Sequence, residues 1–426
     1  MRTRNPGSNT TRCDPAGLLA HVRPGQSVYV GGGLTPATAF VEALQADMDR
    51  SRDLRITTTV PAGFPTAIDF QKLHASATVT VPQAQRAFSH ALRDGRLRVL
   101  PLTFSGFSRY LEGQTFDLGV FQAAQSPRSP SLQFGPSVEF ARAAMQRCRR
   151  VAVLVNPLLP APPLSPGIPP DRIDFISEAP QPLPSLSFSE GDPESDAIGR
   201  HLAPYIGDGS LLQMGVGKIP SAIARQLRGH RRLRIHSGLV SDTTMLLAQC
   251  GALDEGAVHR TTFAAGTARL YDWIRTDASL RYVGCDEILD GHALASIERL
   301  VAINGALEVD LFGQCNLEHA SGRAISGAGG APDFARAAHL SPGGLSVVAL
   351  KSTIDGGARS RIVPSIGPGS IVSIARTDVD LVVTEHGIAD LRGADLHERA
   401  KALIGIAAPA FREELERAWG MQARLL

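Results

Sequence analysis

The chain lacks the features that would send it out of a reducing compartment or into a membrane. Its five cysteines, Cys13, Cys148, Cys250, Cys285 and Cys315, are odd in number, widely spaced and free of any CxxC or Cys/His ligand pattern. They read as reduced thiols in a cytosolic protein. No run approaches the roughly 18 to 20 apolar residues that a membrane span needs, and no apolar stretch follows the polar, arginine-bearing first dozen residues, so neither a span nor a secretory signal is expected. An excess of one charge is missing too. With 43 Lys+Arg against 41 Asp+Glu, a formal net charge of +2 gives no general reason to bind nucleic acid or an anionic membrane. The clusters Arg147-Cys148-Arg149-Arg150 and Arg231-Arg232 precede strands without interleaved aromatics, which fits solvated turns. The twelve histidines show no metal-ligand spacing, so no metal is expected. Small-molecule chemistry is what remains.

The 426 residues, 43% of them hydrophobic, suffice for two domains with a substantial core in each. Short apolar runs alternate with helical segments, which predicts α/β structure with largely parallel sheet in both halves. In the first half the expected strands are Val28–Val30, Ile56–Val60, Leu97–Leu102, Phe116–Val120 and Val151–Val155; the first leads into Gly31-Gly32-Gly33 and a helix through Phe40, Val41 and Leu44. Residues 156–186 carry ten prolines and few periodic apolar positions, the pattern of an extended connection. The expected domains are therefore 1–190 and 191–426. The second half predicts strands at Leu211–Met214, Leu233–His236, Leu300–Asn304, Leu307–Phe312, Ser346–Leu350 and Leu381–Thr384, with Ser241 or Asp242 capping a helix and a helical tail from Leu396.

Three places in the second half have residues that suit chemistry. Leu212-Gln213-Met214-Gly215-Val216-Gly217 is a strand ending in close glycines before a helix, which either brings a ligand against free N–H groups or simply makes a tight turn. Proline at 220 rules out a dinucleotide GxGxxG, and Lys218 suits a phosphate or open solvent equally. Ser326-Gly327-Ala328-Gly329-Gly330 is a second set of unobstructed amides, suited to an oxyanion or to a plain loop. Asn304 and Asn316 flank the strand pair before it, where they would orient an amide-rich ligand such as pantetheine or serve as turn residues. Thr384-Glu385-His386-Gly387 ends an apolar strand, a usual position for active-site groups in open α/β sheets. Glu385 is thus a candidate acid, base or nucleophile, or else a carboxylate tied to nearby donors; His386 and His236 read as structural.

Taken in order, these segments resemble the family I coenzyme A transferases, in the acetyl-CoA hydrolase/transferase branch typified by 4-hydroxybutyrate CoA-transferase. The resemblance runs from about residue 195 to residue 418 through 212–220, Ile303-Asn304-Gly305-Ala306-Leu307-Glu308-Val309-Asp310, Phe312-Gly313-Gln314, 326–330, Arg361-Ile362-Val363-Pro364, 383–393 and 400–404, and is looser in the first half. It implies two CoA-transferase-like (NagB/RpiA-like) open-sheet domains with the active site in the cleft between them, acyl-CoA and a small carboxylic acid as substrates, and a possible homodimer. It also implies CoA contacts at Gly215, Val216, Gly217, Lys218, Ile219, Asn304, Gly327 and Gly330, with Gly329 and Gly330 at the oxyanion. In that family a glutamate attacks the acyl-CoA, and the mixed anhydride is reopened by CoA to a glutamyl-CoA thioester. Members typically carry that glutamate after His-Ser or His-Thr and shortly before Ser-Asp. Here the run is His236-Ser237-Gly238-Leu239-Val240-Ser241-Asp242, and the position is glycine. A hydrogen atom forms no anhydride. Three readings stay open: a transferase using another carboxylate, with Glu385 ahead of Glu318; a hydrolase in which water attacks and Glu385 is the base; or a non-catalytic acyl-CoA-binding homologue. Cys250 and Cys315 are further but weaker nucleophile candidates.

Overall fold

The apolar runs become parallel strands because each is buried over nearly its whole length, a pattern that only a sheet covered on both faces allows. The computed structural model describes residues 10–60, 66–83, 85–127, 130–187, 191–320 and 322–425. Two units result. The first takes the chain up to Ser185 and takes back Thr262–Glu287; the second holds Leu186–Thr261 and Ile288–Leu426.

In the first unit the strands lie in the spatial order Thr11–Arg12, Phe175–Glu178, Val151–Val155, Leu118–Gln125, Ser27–Val30, Arg55–Thr57, Thr78–Val81 and Leu97–Val99, every pair parallel. Its core gathers Val28, Val30, Phe40, Ile56, Val79, Val120, Ala152 and Phe175. The proline-rich stretch is not wholly an extended connection, since Phe175–Glu178 within it pairs with Val151–Val155. No proline falls inside those four residues, so each keeps its N–H for the ladder. The returning segment joins this unit through Val138 N–H to Thr262 O (2.8 Å) and Cys285 N–H to Glu139 O (2.7 Å).

The second unit is built on strands β1 (Leu211–Met214), β2 (Arg234–Val240), β3 (Leu300–Gly305), β4 (Leu345–Ala349), β5 (Leu381–Thr384) and β6 (Gly387–Asp390). Their order is β2-β1-β3-β4-β5-β6, parallel except for the last pair. Helix α1 (Pro193–Leu202) starts cleanly: Asp192 accepts from Ser195 N–H (2.9 Å), proline occupies the first turn, acids lie at 194 and 196, and basic residues end it at 200 and 201. Helix α2 (Lys218–Gln226) begins at Gly217, α3 (Asp242–Gln249) is capped by Ser241 as expected, and α4 (Ala331–Leu340) begins after Gly330. The parallel arrangement puts the C-terminal ends of β1 to β5 along one edge, and with them Gly215, Gly238, Gly305, Leu350 and Glu385. Among the described residues, no helix is long and apolar enough to cross a membrane.

Candidate functional site

The C-terminal edge of the second sheet opens into a cavity of about 420 Å³, within the roughly 300–1,000 Å³ range usual for small-molecule sites. Its wall is made by the turn after β1 (Gly215 to Pro220), the end of β3 (Ile303 to Leu307), the end of β4 (Ala349 to Lys351), and Ser195, Leu317 and Arg361. Gly215, Val216, Gly217, Lys218, Ile219 and Asn304 are thus brought together. Glycine has a structural reason at 217, where φ is +120°, a conformation that side chains rarely adopt. At 215 a Cβ would meet nothing within 4 Å, so neither strain nor crowding requires glycine and the turn faces open space.

The cavity is rich in donors and cations. Lys351 Nζ reaches Asp192 Oδ2 (2.9 Å) and Glu194 Oε2 (3.6 Å), while Lys218 Nζ lies 3.5 Å from Asp192 Oδ2. Burial alone would raise the Asp192 pKa, but the Ser195 N–H and the Lys351 ammonium together hold it well below the usual carboxylate range. Asn304 is 8% exposed and its Nδ2 has no partner; Ser195 Oγ and Arg361 Nε are buried and likewise unpartnered. Buried polar atoms in native proteins are seldom left so. Three unsatisfied groups in one wall fit a ligand carrying several acceptors. Among the described residues, no group of three or more His, Cys, Asp or Glu is placed to hold a metal ion.

Gly327, Gly329 and Gly330 do not line this cavity. Gly330 instead shares a neighbour with Gly238, since Phe334 Cε2 would meet both a Cβ built at Gly330 (3.6 Å) and one built at Gly238 (4.0 Å). Gly238 lies within β2, two residues before its end, with no positive φ, and nothing else lies within 4 Å of its built Cβ. Neither backbone strain nor crowding requires glycine there. His236, two residues earlier, points its Nε2 at Ile288 O (2.8 Å), and burial lowers its pKa.

Glu385 also lies outside the cavity wall. Ser352 binds both of its oxygens, with N–H to Oε2 at 2.9 Å and Oγ–H to Oε1 at 2.5 Å, and His386 Nε2 is 3.6 Å from Oε1. Between Gly238 on β2 and Glu385 on β5 there are four strand spacings, about 19 Å along the sheet. The backbone of one cannot stand in for that of the other. Glu318 accepts from Ser373 Oγ (2.8 Å). Asn316 is a turn residue, its Nδ2 donating to Glu308 and His319 O and its Oδ1 accepting two backbone N–H groups. The Cys315 thiol is fully buried and raised in pKa by that burial, and Cys250 Sγ faces its own helix at Leu247 O. Lys351, Arg361, Ser195 and Asp192 were not singled out as site residues from the sequence. Lys351 gives one retrospective signal, a lone cation directly after an apolar strand at the functional edge of a parallel sheet.

Residues 266–419 match the acetyl-CoA hydrolase/transferase C-terminal domain family. The chain is 36% identical over 306 residues to the 4-hydroxybutyrate coenzyme A transferase of Clostridium kluyveri, covering 70% of this chain and 71% of that protein. It is 30% identical over 413 residues to the probable butyrate:acetyl-CoA coenzyme A-transferase of Syntrophomonas wolfei, covering 92% and 91%. Among solved structures, RipA from Yersinia pestis superposes with a TM-score of 0.87 at 26% identity, covering 96% of this chain and 97% of that one.

Proposed function

The chain belongs to the family of CoA-transferases that includes 4-hydroxybutyrate CoA-transferase, and from that membership we propose that it exchanges coenzyme A between an acyl-CoA and a small carboxylic acid. The observation that carries this reading is the cavity between Gly215–Pro220 and Ile303–Leu307, with its open glycine edge and its unpartnered donors. Pantetheine supplies amide oxygens for Asn304 Nδ2 and fits the space over Gly215, while Lys218 and Lys351 offer positive charge to phosphate or carboxylate. Exchange of one thioester for another is close to balanced in free energy and needs no metal or ATP. Gly330, which shares Phe334 with Gly238, and Gly329 before it suit the oxygen that becomes negative as the acyl carbon is attacked.

We read Gly238 as the position at which the family carries its attacking glutamate. Glu385, with both oxygens on Ser352, is then a positioning residue that fixes the turn carrying Lys351 and Ser352. Hydrolysis is the second reading, favoured by the open space at Gly238, which admits water. Incubating the protein with a panel of acyl-CoAs, with and without acetate, separates the two when free CoA and new thioesters are followed by mass spectrometry. Exchange that requires the acid is the expected result; CoA released equally without acid points to hydrolysis, and binding without turnover removes both.

A further inference from the structure

Arg361 is a charged side chain without a mate. It is half-buried in the cavity wall, its Nε is buried and unbonded, and among the described residues no side chain hydrogen-bonds or ion-pairs with it. Three carboxylates bear on it electrostatically, Glu385, Asp355 and Glu308. Each already has a closer donor: Ser352 Oγ on Glu385 (2.5 Å), Arg359 Nε on Asp355 (2.7 Å) and Asn316 Nδ2 on Glu308 (3.1 Å). A guanidinium in such a place is matched best by a carboxylate, which takes two parallel N–H bonds from it. The described wall of the cavity also holds three cations and neither aspartate nor glutamate. Lys218 and Lys351 share Asp192, which lies behind the wall, so among the described residues Arg361 is the wall cation with no carboxylate partner.

We propose that Arg361, with Lys351 beside it, receives the carboxylate of the acid substrate, and that this carboxylate rather than a protein side chain attacks the thioester. The proposal rests on the acyl-CoA reading of the same cavity. In the first step a carboxylate oxygen of the acid bonds to the acyl carbon, the C–S bond breaks, and CoA leaves as thiolate, giving a mixed anhydride of the two acyl groups. In the second step the thiolate bonds to the carbonyl carbon of the incoming acid, and the original acyl group leaves as its carboxylate. No proton is consumed and no co-reactant is needed. Both substrates must be bound together, so the reaction is sequential.

The test uses the full chain in molar excess over butyryl-CoA, with acetate carrying ¹⁸O in both carboxylate oxygens. The proposal expects the butyrate released in the first turnover to carry one ¹⁸O, and the intact chain to gain no CoA mass. Unlabelled butyrate with a CoA-linked chain would overturn it in favour of a protein nucleophile; unlabelled butyrate with free CoA and an unmodified chain would overturn it in favour of water. Either result leaves the acyl-CoA reading standing, whereas that reading itself fails if calorimetric titration finds no binding of butyryl-CoA. Arg361→Lys and Arg361→Met provide the second arm. Each is expected to raise the KM for acetate at least tenfold and by a larger factor than it weakens butyryl-CoA binding, with the unfolding midpoint unchanged, since among the described residues no side chain hydrogen-bonds or ion-pairs with it. An unchanged KM for acetate in both would remove Arg361 from the site.

Discussion

Two glycine turns follow parallel strands in this molecule, and they have opposite surroundings. In the first unit Gly31-Gly32-Gly33 wraps a carboxyl group: a Cβ at Gly33 would lie 1.9 and 2.1 Å from the two oxygens of Glu139. Glu139 takes hydrogen bonds from Ser137 Oγ (2.6 Å) and Leu34 N–H (3.2 Å), has φ of +41°, and borders a space of only about 20 Å³. In the second unit Gly215 and Gly217 face open space. The first turn is filled by the protein's own acid and the second is left for a ligand, so a glycine turn alone does not announce a site. What separates them is whether another part of the chain supplies the partner.

The largest expected effect comes from forcing a side chain into the filled turn. Gly33→Ala places a methyl on the Glu139 oxygens at φ +65°, and should cost about 3 kcal/mol or more; urea denaturation followed by circular dichroism reads it. Gly215→Ala should instead leave stability within about 0.5 kcal/mol and weaken acyl-CoA binding at least tenfold, about 1.4 kcal/mol, by calorimetry. Equal destabilisation by the two substitutions would erase the contrast.

Glu139 gives the contrast a pH dependence. Burial, partly offset by Ser137 and Leu34, raises its pKa to about 7, above that of a carboxyl in the unfolded chain. Below about pH 4.5 both states hold the proton and its contribution to stability is intact. Between that value and 7 the unfolded chain ionises first, so stability falls as pH rises, by a total on the order of 3 kcal/mol. Glu139→Gln should flatten the stability profile over this window; an unaltered slope would place the titration elsewhere.

Asp192 has the opposite sign. Burial opposes its ionisation but the Ser195 N–H and Lys351 prevail, so its pKa is depressed and its contribution is present at neutral pH and lost as pH falls below the unfolded value. Asp192→Asn keeps a capping oxygen and loses the two lysine contacts, for an expected cost of about 1 kcal/mol at pH 7, measured by denaturant midpoint. Gly238→Glu should have the smallest effect on folding, within about 0.5 kcal/mol, because its Cβ meets only Phe334 at 4.0 Å. A larger loss would show that the space at the end of β2 is not available to a side chain.

Much of the second unit was legible in the sequence because its strands are buried on both faces and read as unbroken apolar runs. Leu211–Met214 and Leu381–Thr384 have the expected bounds, and Gly215 to Ile219 and Asn304 share one cavity. The first unit was harder. Thr78–Val81 has a threonine-rich run that does not stand out by hydropathy, and Phe175–Glu178 lies among prolines that mask it. The return of Thr262–Glu287 is a long-range packing fact with no local signature. In the site, the sequence displayed the glycines and Lys218 but not the other two cations: Lys351 and Arg361 enter the cavity only because β4 and the segment after it end beside β3. Ser352 also lies far from Glu385 along the chain, so its hold on that carboxylate could not be read from the motif.

The central claim is that coenzyme A lies over the turn after β1. A crystal structure of the protein with coenzyme A bound tests it most directly. The account predicts the pantetheine arm between Gly215–Ile219 and Asn304, with Asn304 Nδ2 donating to one of its amide oxygens. Coenzyme A bound elsewhere while that cavity holds only solvent would contradict it.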